Sequence, residues 1–134
     1  MTDWPAQGRW VPSTVVRTTS AQTSGVGTSF VARTGVGPLG FDDPMTVTAW
    51  QPPDGAAPGA YTVTKSGRVV LGGAEVTVRA LGPDRSLLVW AETADLPLVS
   101  RVPVLRGLLD VGTRAGLGFM LRRLARDVEH AARR

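Results

Sequence analysis

Hydrophobic and polar residues alternate along most of the first 96 residues, in short runs separated by glycine, proline and aspartate. A period of two is typical of β-strands with one buried face, and short links between such strands favour antiparallel pairing. The pattern therefore predicts an antiparallel meander. Its strands are predicted at 13–20, 26–34, 45–50, 60–71, 74–81 and 86–93.

The alternation also assigns faces to the predicted strands. Met45, Val47 and Ala49 share one face of the third strand, and Lys65 shares a face of the fourth with the apolar residues at 61 and 63. The Asp-Asp-Pro stretch at 42–44 predicts a turn before the third strand, because proline interrupts strand pairing.

After Pro97 the apolar spacing changes to three and four residues, which predicts helix, with Ser100 as N-cap and Pro103 in the first turn. Two apolar stripes differ in direction by about 100° on a helical wheel. Either one helix has a very wide apolar face, or it breaks near 110–113 into a short helix and a longer terminal one, and we favour the break. The stripes are Leu105, Leu108, Leu109 and Gly112, then Leu117, Met120, Leu121, Leu124 and Val128.

Residues 35–40, GVGPLG, match the dinucleotide-binding pattern G-x-G-x-x-G. That motif binds pyrophosphate only where a helix opens directly after it, so that helix N-terminal amides face the phosphates. Here FDDP and a predicted strand follow, and a proline occupies the turn. The sequence therefore predicts a glycine-rich connection between two strands rather than a nucleotide site.

Composition removes several classes of chemistry. The 134 residues suffice for one domain, cysteine is absent, and the one histidine is His130, near the C-terminus. Disulfides, thiol nucleophiles and thiolate or histidine metal sites are thereby disfavoured. We expect no metal and no cofactor.

Positive charge is concentrated at the C-terminal end, where eight arginines and three acidic residues follow Ser100. Phe119 is the one aromatic residue among these arginines, too few for the interleaving of nucleic-acid-binding surfaces, so a solvated helix face is predicted and no nucleic-acid partner. The longest apolar run is far shorter than a membrane span, and no signal peptide is evident. A cytoplasmic protein without a membrane span is expected.

Six stretches along the chain are informative through their order. They are DWPAQGRWVP (3–12), VGTSFVARTG (26–35), DDPMTVTAWQPP (42–53), GRVV (67–70), LLVWAET (87–93) and LRRLARDVE (121–129). Taken in this order, they resemble the SRPBCC superfamily, the START-like group that includes polyketide cyclase/dehydrase-like proteins. No single stretch is diagnostic; the resemblance lies in their order along nearly the whole chain.

The resemblance implies an α+β helix-grip fold, a curved antiparallel sheet wrapped around a long C-terminal helix, as one START-like domain over 1–134. The sheet is expected at about 13–96 and the helical region at about 100–132. Such a fold encloses an apolar cavity, the default ligand site. The expected partner is a small hydrophobic or amphipathic ligand, lipid-like or polyketide-like, with candidate binding residues Phe30, Val47, Tyr61, Val76, Trp90, Phe119 and Met120.

The same superfamily contains enzymes, so a cyclase or dehydratase acting by acid–base chemistry is the alternative. Glu92 and Lys65 are weak catalytic candidates. Lys65 is the only lysine, and in an apolar cleft it can bind a carboxylate or form a Schiff base. An enzyme is expected to show at least two ionisable groups that converge deep in the cavity.

One departure from the family pattern concerns the N-terminus. Family members usually have a strand and a helix before the Asp-Trp-Pro segment, whereas Asp3 lies near the start of this sequence. Three explanations are open: a start upstream of Met1, which we favour, pairing through an open sheet edge, or a decayed copy of the gene. An unpaired edge attracts partners, so a homodimer through that edge is a further expectation.

Overall fold

A computed structural model describes residues 2–97 and 103–134. Six strands form one antiparallel sheet in which each strand pairs with the next along the chain. A short helix, α1, precedes the sheet, and a long helix, α2, follows it. The elements are α1 Trp4–Gln7, β1 Thr14–Thr18, β2 Ser29–Thr34, β3 Phe41–Gln51, β4 Gly59–Ser66, β5 Leu71–Gly82, β6 Arg85–Asp95 and α2 Pro103–Ala132.

The sheet curls into a half-barrel, and the core lies on its concave side. The middle of α2 packs there through Met120 and Leu124, which contact Trp10 from the N-terminal segment and Trp90 from β6. The predicted α+β fold, a curved antiparallel sheet with a C-terminal helix, is therefore confirmed. No helix in the described ranges is long and apolar enough to cross a membrane.

The predicted break in the C-terminal helix is wrong, because α2 runs without interruption from Pro103 to Ala132. The two apolar stripes do not both need to be buried. Leu117 and Leu124 pack against the core, whereas Leu108 and Val128 are exposed. The exposed residues come from both stripes, Leu108 from the first and Val128 from the second, so an unbroken helix packs the middle of the second stripe and leaves these two at the surface. The predicted N-cap, Ser100, lies outside the described residues.

The turn predicted at 42–44 is also wrong, since β3 begins at Phe41 and includes Pro44. Proline has no N–H to donate to a neighbouring strand. Pairing between β3 and β4 begins only at Met45, opposite Lys65, while Pro44 already pairs with β2. Proline is tolerated here because β3 needs to satisfy only one neighbouring strand at this position.

A bulge in β3 changes its faces. Val47 pairs with Val63, and Ala49 pairs with the adjacent Thr62 of β4. Thr48 is therefore an extra residue without a partner of its own on β4. After the bulge Ala49 is exposed and Trp50 turns toward the core. The face predicted for Ala49 is therefore wrong, while Met45 and Val47 lie on the core side as predicted.

The predicted strand at 60–71 is two strands joined by a turn. β4 ends at Ser66, and Leu71 already belongs to β5. The chain reverses between Ser66 and Leu71, which pair with each other. The next pair is Lys65 with Gly72, and Gly72 has a φ of 125°. A Cβ atom at Gly72 would lie 2.1 Å from the backbone oxygen of Thr93 on β6. Only glycine permits β5 and β6 to approach so closely here.

The GVGPLG stretch joins β2 to β3 through a 3₁₀ turn, Gly37–Leu39, as the glycine-rich connection predicted from sequence. A Cβ atom at Gly35, which has a φ of 116°, would lie 2.5 Å from the Cα of Gly40. The glycines thus serve a tight crossing of the chain between two strands.

The N-terminal segment is attached to both the sheet and α2. Asp3 caps α1 by accepting a hydrogen bond from the Ala6 amide, and Trp4 is buried in the concave face of the sheet. Trp10 donates from Nε1 to Asp127 Oδ2 at 2.9 Å, which ties the segment to the last third of α2. The segment therefore covers part of the concave face that the helix leaves open.

The close approach at Gly72 makes a first prediction. Gly72→Ala should lower the free energy of unfolding by about 3 kcal/mol, because alanine is strained at this φ and its methyl group meets a backbone oxygen. The matched control is Gly82→Ala in the same strand, where an added Cβ meets nothing within 4 Å. Urea unfolding followed by tryptophan fluorescence measures both; equal stability of the two variants would contradict the prediction.

Candidate functional site

A cavity of about 710 Å³ lies between the concave face of the sheet, the N-terminal segment and α2. All six strands contribute to its wall, and most of the lining side chains are apolar. The wall includes Val16, Phe30, Ala32, Met45, Val63, Val70, Ala74, Trp90, Leu117 and Met120.

The structure brings together most of the residues predicted to bind ligand. Phe30, Tyr61, Trp90 and Met120 line the cavity, as does Phe119, although Phe119 is 45% exposed and lies beneath the guanidinium of Arg123. The other two predicted residues, Val47 and Val76, are not part of the described wall. They are fully buried in the core behind it.

An aromatic cluster forms one region of the cavity wall. Trp4 stacks on Phe30 with ring centroids 4.4 Å apart and meets Tyr61 edge-on at 5.3 Å. The indole Nε1 of Trp4 donates to the carbonyl oxygen of Thr23, so its one polar atom is satisfied. This arrangement holds the short helix α1 over the sheet and presents flat apolar surface to the cavity.

Three charged side chains form the polar end of the cavity. Lys65 on β4 places its Nζ 2.7 Å from Oδ2 of Asp43 on β3 and 2.8 Å from Oε1 of Glu92 on β6. The side chains of Lys65 and Asp43 are only 9% and 10% exposed. Both predicted catalytic candidates, Lys65 and Glu92, therefore meet in the cavity, together with a carboxylate that the sequence analysis did not select.

The pairing holds Lys65 in its charged form. Burial acts to lower the pKa of Lys65, but the charge of Glu92 and the hydrogen bonds with both carboxylates outweigh it and raise that pKa above 10.5. For Asp43, burial raises the pKa above its ordinary value of 3.8, and the hydrogen bond from Lys65 opposes part of the rise. The cluster is an ammonium shared by two carboxylates.

Asp43 was missed because residues 42–44 were assigned to a turn. Its position has the same parity as Met45 and Val47, the buried face of β3. If Pro44 is taken as part of β3, the same alternation of buried and exposed positions extends back to Asp43 and predicts that its side chain faces the core. Because the predicted third strand began at Met45, Asp43 was not recognised as a partner of Lys65.

Two helix glycines complete the wall. Gly112 and Gly116 face the cavity from α2, and a Cβ atom at either position would meet nothing within 4 Å. Each glycine destabilises a helix by about 1 kcal/mol relative to alanine. Their effect on the described site is to leave open volume between the helix and the sheet.

Within residues 2–97 and 103–134, no group of three or more His, Cys, Asp or Glu side chains is placed to hold a metal ion. The comparisons with known proteins add no further constraint. Profiles of known families, curated proteins and solved structures gave no match to this chain.

The burial of Tyr61 and the pairing of Lys65 with two carboxylates predict a loss of stability in alkali. Burial raises the pKa of Tyr61 above its ordinary value of 10.0, and a hydrogen bond with Gln7 lowers it by a smaller amount. The pKa of Lys65 is also raised above its ordinary value of 10.5. The folded state therefore keeps protons that the unfolded chain releases as the pH rises past 10. The free energy of unfolding should fall with rising pH in that range.

Tyr61 is the only tyrosine, so the ultraviolet absorbance of tyrosinate follows this group alone. Its ionisation should occur above pH 10 in the folded protein and near pH 10 in urea. In Tyr61→Phe, the alkaline fall in unfolding free energy, taken relative to each protein's own value at neutral pH, should be smaller. Identical profiles for the two proteins would refute this assignment.

Proposed function

We propose that this protein binds a small hydrophobic or amphipathic ligand, lipid-like or polyketide-like, in the cavity between the sheet and α2. The observation that carries the proposal is the 710 Å³ cavity with largely apolar walls and one polar cluster. Small-molecule sites commonly occupy about 300–1,000 Å³ and combine apolar walls with a few convergent polar groups.

The composition of α2 also supports the proposal. A helix that only completed a core would gain from large apolar residues at the positions facing the sheet. Here Gly112 and Gly116 face the cavity instead, and both positions open into unfilled space. An apolar ligand that enters this space would bury the walls that the glycines leave uncovered.

The charged cluster favours a second candidate, a cyclase or dehydratase that acts in the same cavity. Three ionisable groups converge there, which meets the geometric condition expected of an enzyme. Their pairing opposes that use. Lys65 must lose its proton to act as a nucleophile or base, and its raised pKa makes that loss unfavourable at neutral pH. Binding is therefore the function we favour.

Membership of the SRPBCC superfamily is part of the same proposal. It is supported by the ordered resemblance along the chain and by the curved sheet with its C-terminal helix. The fold alone does not select that superfamily, because other α+β proteins also combine a curled sheet with a terminal helix.

We propose in addition that two copies associate through β6. In the described residues β6 pairs only with β5, and its outer face exposes Leu87 and Val89. The other edge strand, β1, is approached by the α1 segment, since a Cβ atom at Gly8 would lie 2.8 Å from the oxygen of Thr14. An edge strand with apolar neighbours is a natural site for pairing with a second copy.

The binding proposal predicts saturable uptake of the neutral fluorescent probe N-phenyl-1-naphthylamine. Gly116→Leu should weaken that binding by about tenfold, equivalent to about 1.4 kcal/mol, because the new side chain fills the cavity. Gly107→Leu is the control, since Gly107 does not line the cavity and lies on the opposite face of α2, about 180° away.

Native mass spectrometry of protein purified from its own host provides an independent measurement. A hydrophobic molecule that co-purifies with the protein, and is absent from Gly116→Leu, would support binding. Equal probe affinity in Gly116→Leu and Gly107→Leu would refute the cavity as the site. Turnover of a polyketide-like substrate that disappears in Glu92→Gln would establish the enzyme instead.

The association proposal predicts a dimer by size-exclusion chromatography with light scattering. Val89→Lys should give a monomer, because it places a charge beside the β6 edge. Val15→Lys on β1 is the control and should leave the dimer intact, since Val15 is also exposed, at 70% against 53% for Val89, but lies on the other edge strand. A wild-type protein that stays monomeric at high concentration would contradict pairing through β6.

A further inference from the structure

The polar end of the cavity has an excess of negative charge. Asp43, Lys65 and Glu92 are the charged residues among those described in its wall, and together they carry one formal negative charge when ionised. Two of the three ammonium protons of Lys65 are already directed to the two carboxylates. A ligand that reaches this end therefore meets a neutralised lysine rather than a free cation.

One atom of the cluster lacks a partner. Asp43 is 7% exposed, and its Oδ1 is buried without a hydrogen bond among the described residues, although Oδ2 accepts from Lys65. Buried carboxylate oxygens normally accept at least one hydrogen bond, because an unmet acceptor loses its hydration without replacement. Since Asp43 lines the cavity, the missing donor can come from a bound molecule.

A second unmet polar atom lies on the same wall. The indole Nε1 of Trp90 is buried and donates no hydrogen bond to any described residue. Trp90 lies two positions before Glu92 on β6, so the two residues share the face of the strand that lines the cavity. The wall thus offers an acceptor on Asp43 and a donor on Trp90 that no described residue uses.

Resting on the proposed function, we infer that the cavity selects ligands whose polar end donates a hydrogen bond to Asp43 Oδ1, such as an alcohol, a phenol or an ammonium. A carboxylate on the same apolar frame is rejected. It cannot donate to Oδ1, and it would add a third negative charge beside Asp43 and Glu92 in a region of low dielectric constant. A hydrogen-bond acceptor elsewhere on the ligand can accept from Nε1 of Trp90.

Four probes with one aromatic frame test this selectivity: 2-naphthol, 2-naphthylmethylammonium, 2-naphthoate and 2-methylnaphthalene. Equilibrium dialysis at neutral pH measures each dissociation constant. We expect 2-naphthol or the ammonium to bind at least about tenfold more tightly than both the carboxylate and the hydrocarbon, as one charge-assisted hydrogen bond allows. The ranking of naphthol against the ammonium identifies the donor as neutral or cationic.

Asp43→Asn removes the excess charge with little change of shape. It should reduce the preference for naphthol over naphthoate by about tenfold. Asp42→Asn is the matched control: it removes the same charge one residue away, but Asp42 is about half exposed, pairs with Arg33 and does not line the cavity. Glu92→Gln tests the charge argument independently if Asp43→Asn does not fold, and it should shift the same preference in the same direction.

The outcomes separate the two proposals. If the probes bind and Gly116→Leu weakens them, but naphthoate equals naphthol or Asp42→Asn changes the preference as much as Asp43→Asn, the selectivity is refuted and the cavity stands. If no probe binds, including 2-methylnaphthalene, the proposed function fails and the selectivity fails with it.

Discussion

The burial of the Lys65 ammonium between two carboxylates is the constraint on which the arrangement of the sheet depends. A buried charge is destabilising by several kcal/mol unless its partners are correctly placed. Those partners come from β3 and β6, on either side of the lysine strand. A slip of one residue in any of these pairings would turn a charged side chain to the outer face, so the cluster opposes alternative registers.

The irregular features of the sheet surround this cluster. Lys65 pairs with Gly72, so β5 places no side chain directly beside Lys65, and Glu92 on the next strand pairs with Ala74, two residues further along β5. The missing side chain also lets β5 approach the backbone of Thr93 closely. On the other side, Pro44 directly follows Asp43 at the point where pairing between β3 and β4 is just beginning. Gly72 and Pro44 thus lie beside the charged cluster that links β3, β4 and β6, where the backbone departs from regular strand pairing.

Alternation predicted the antiparallel meander, because a period of two reports which face of a strand is buried, whereas the curvature of the sheet around the helix was expected from the family resemblance. It failed where the backbone departs from regular pairing. The bulge at Thr48 reverses the faces of Ala49 and Trp50, and that stretch contains no glycine or other residue type that would predict a bulge. Lys65 and Glu92 were recognised only as weak candidates, because the lysine's burial depends on Asp43, whose strand was read as a turn.

Stability does not by itself account for a charged cluster in an apolar cavity. A buried ion triad can often be replaced by apolar side chains of similar volume without loss of stability, whereas removing one member leaves an unpaired charge. This cluster is also incompletely satisfied, since Asp43 Oδ1 is buried without a partner among the described residues, as is Nε1 of Trp90 on the same cavity wall. Under the binding proposal, polar atoms left unmet within the protein, in a largely apolar wall, would fix the orientation of a molecule that supplies the missing bonds.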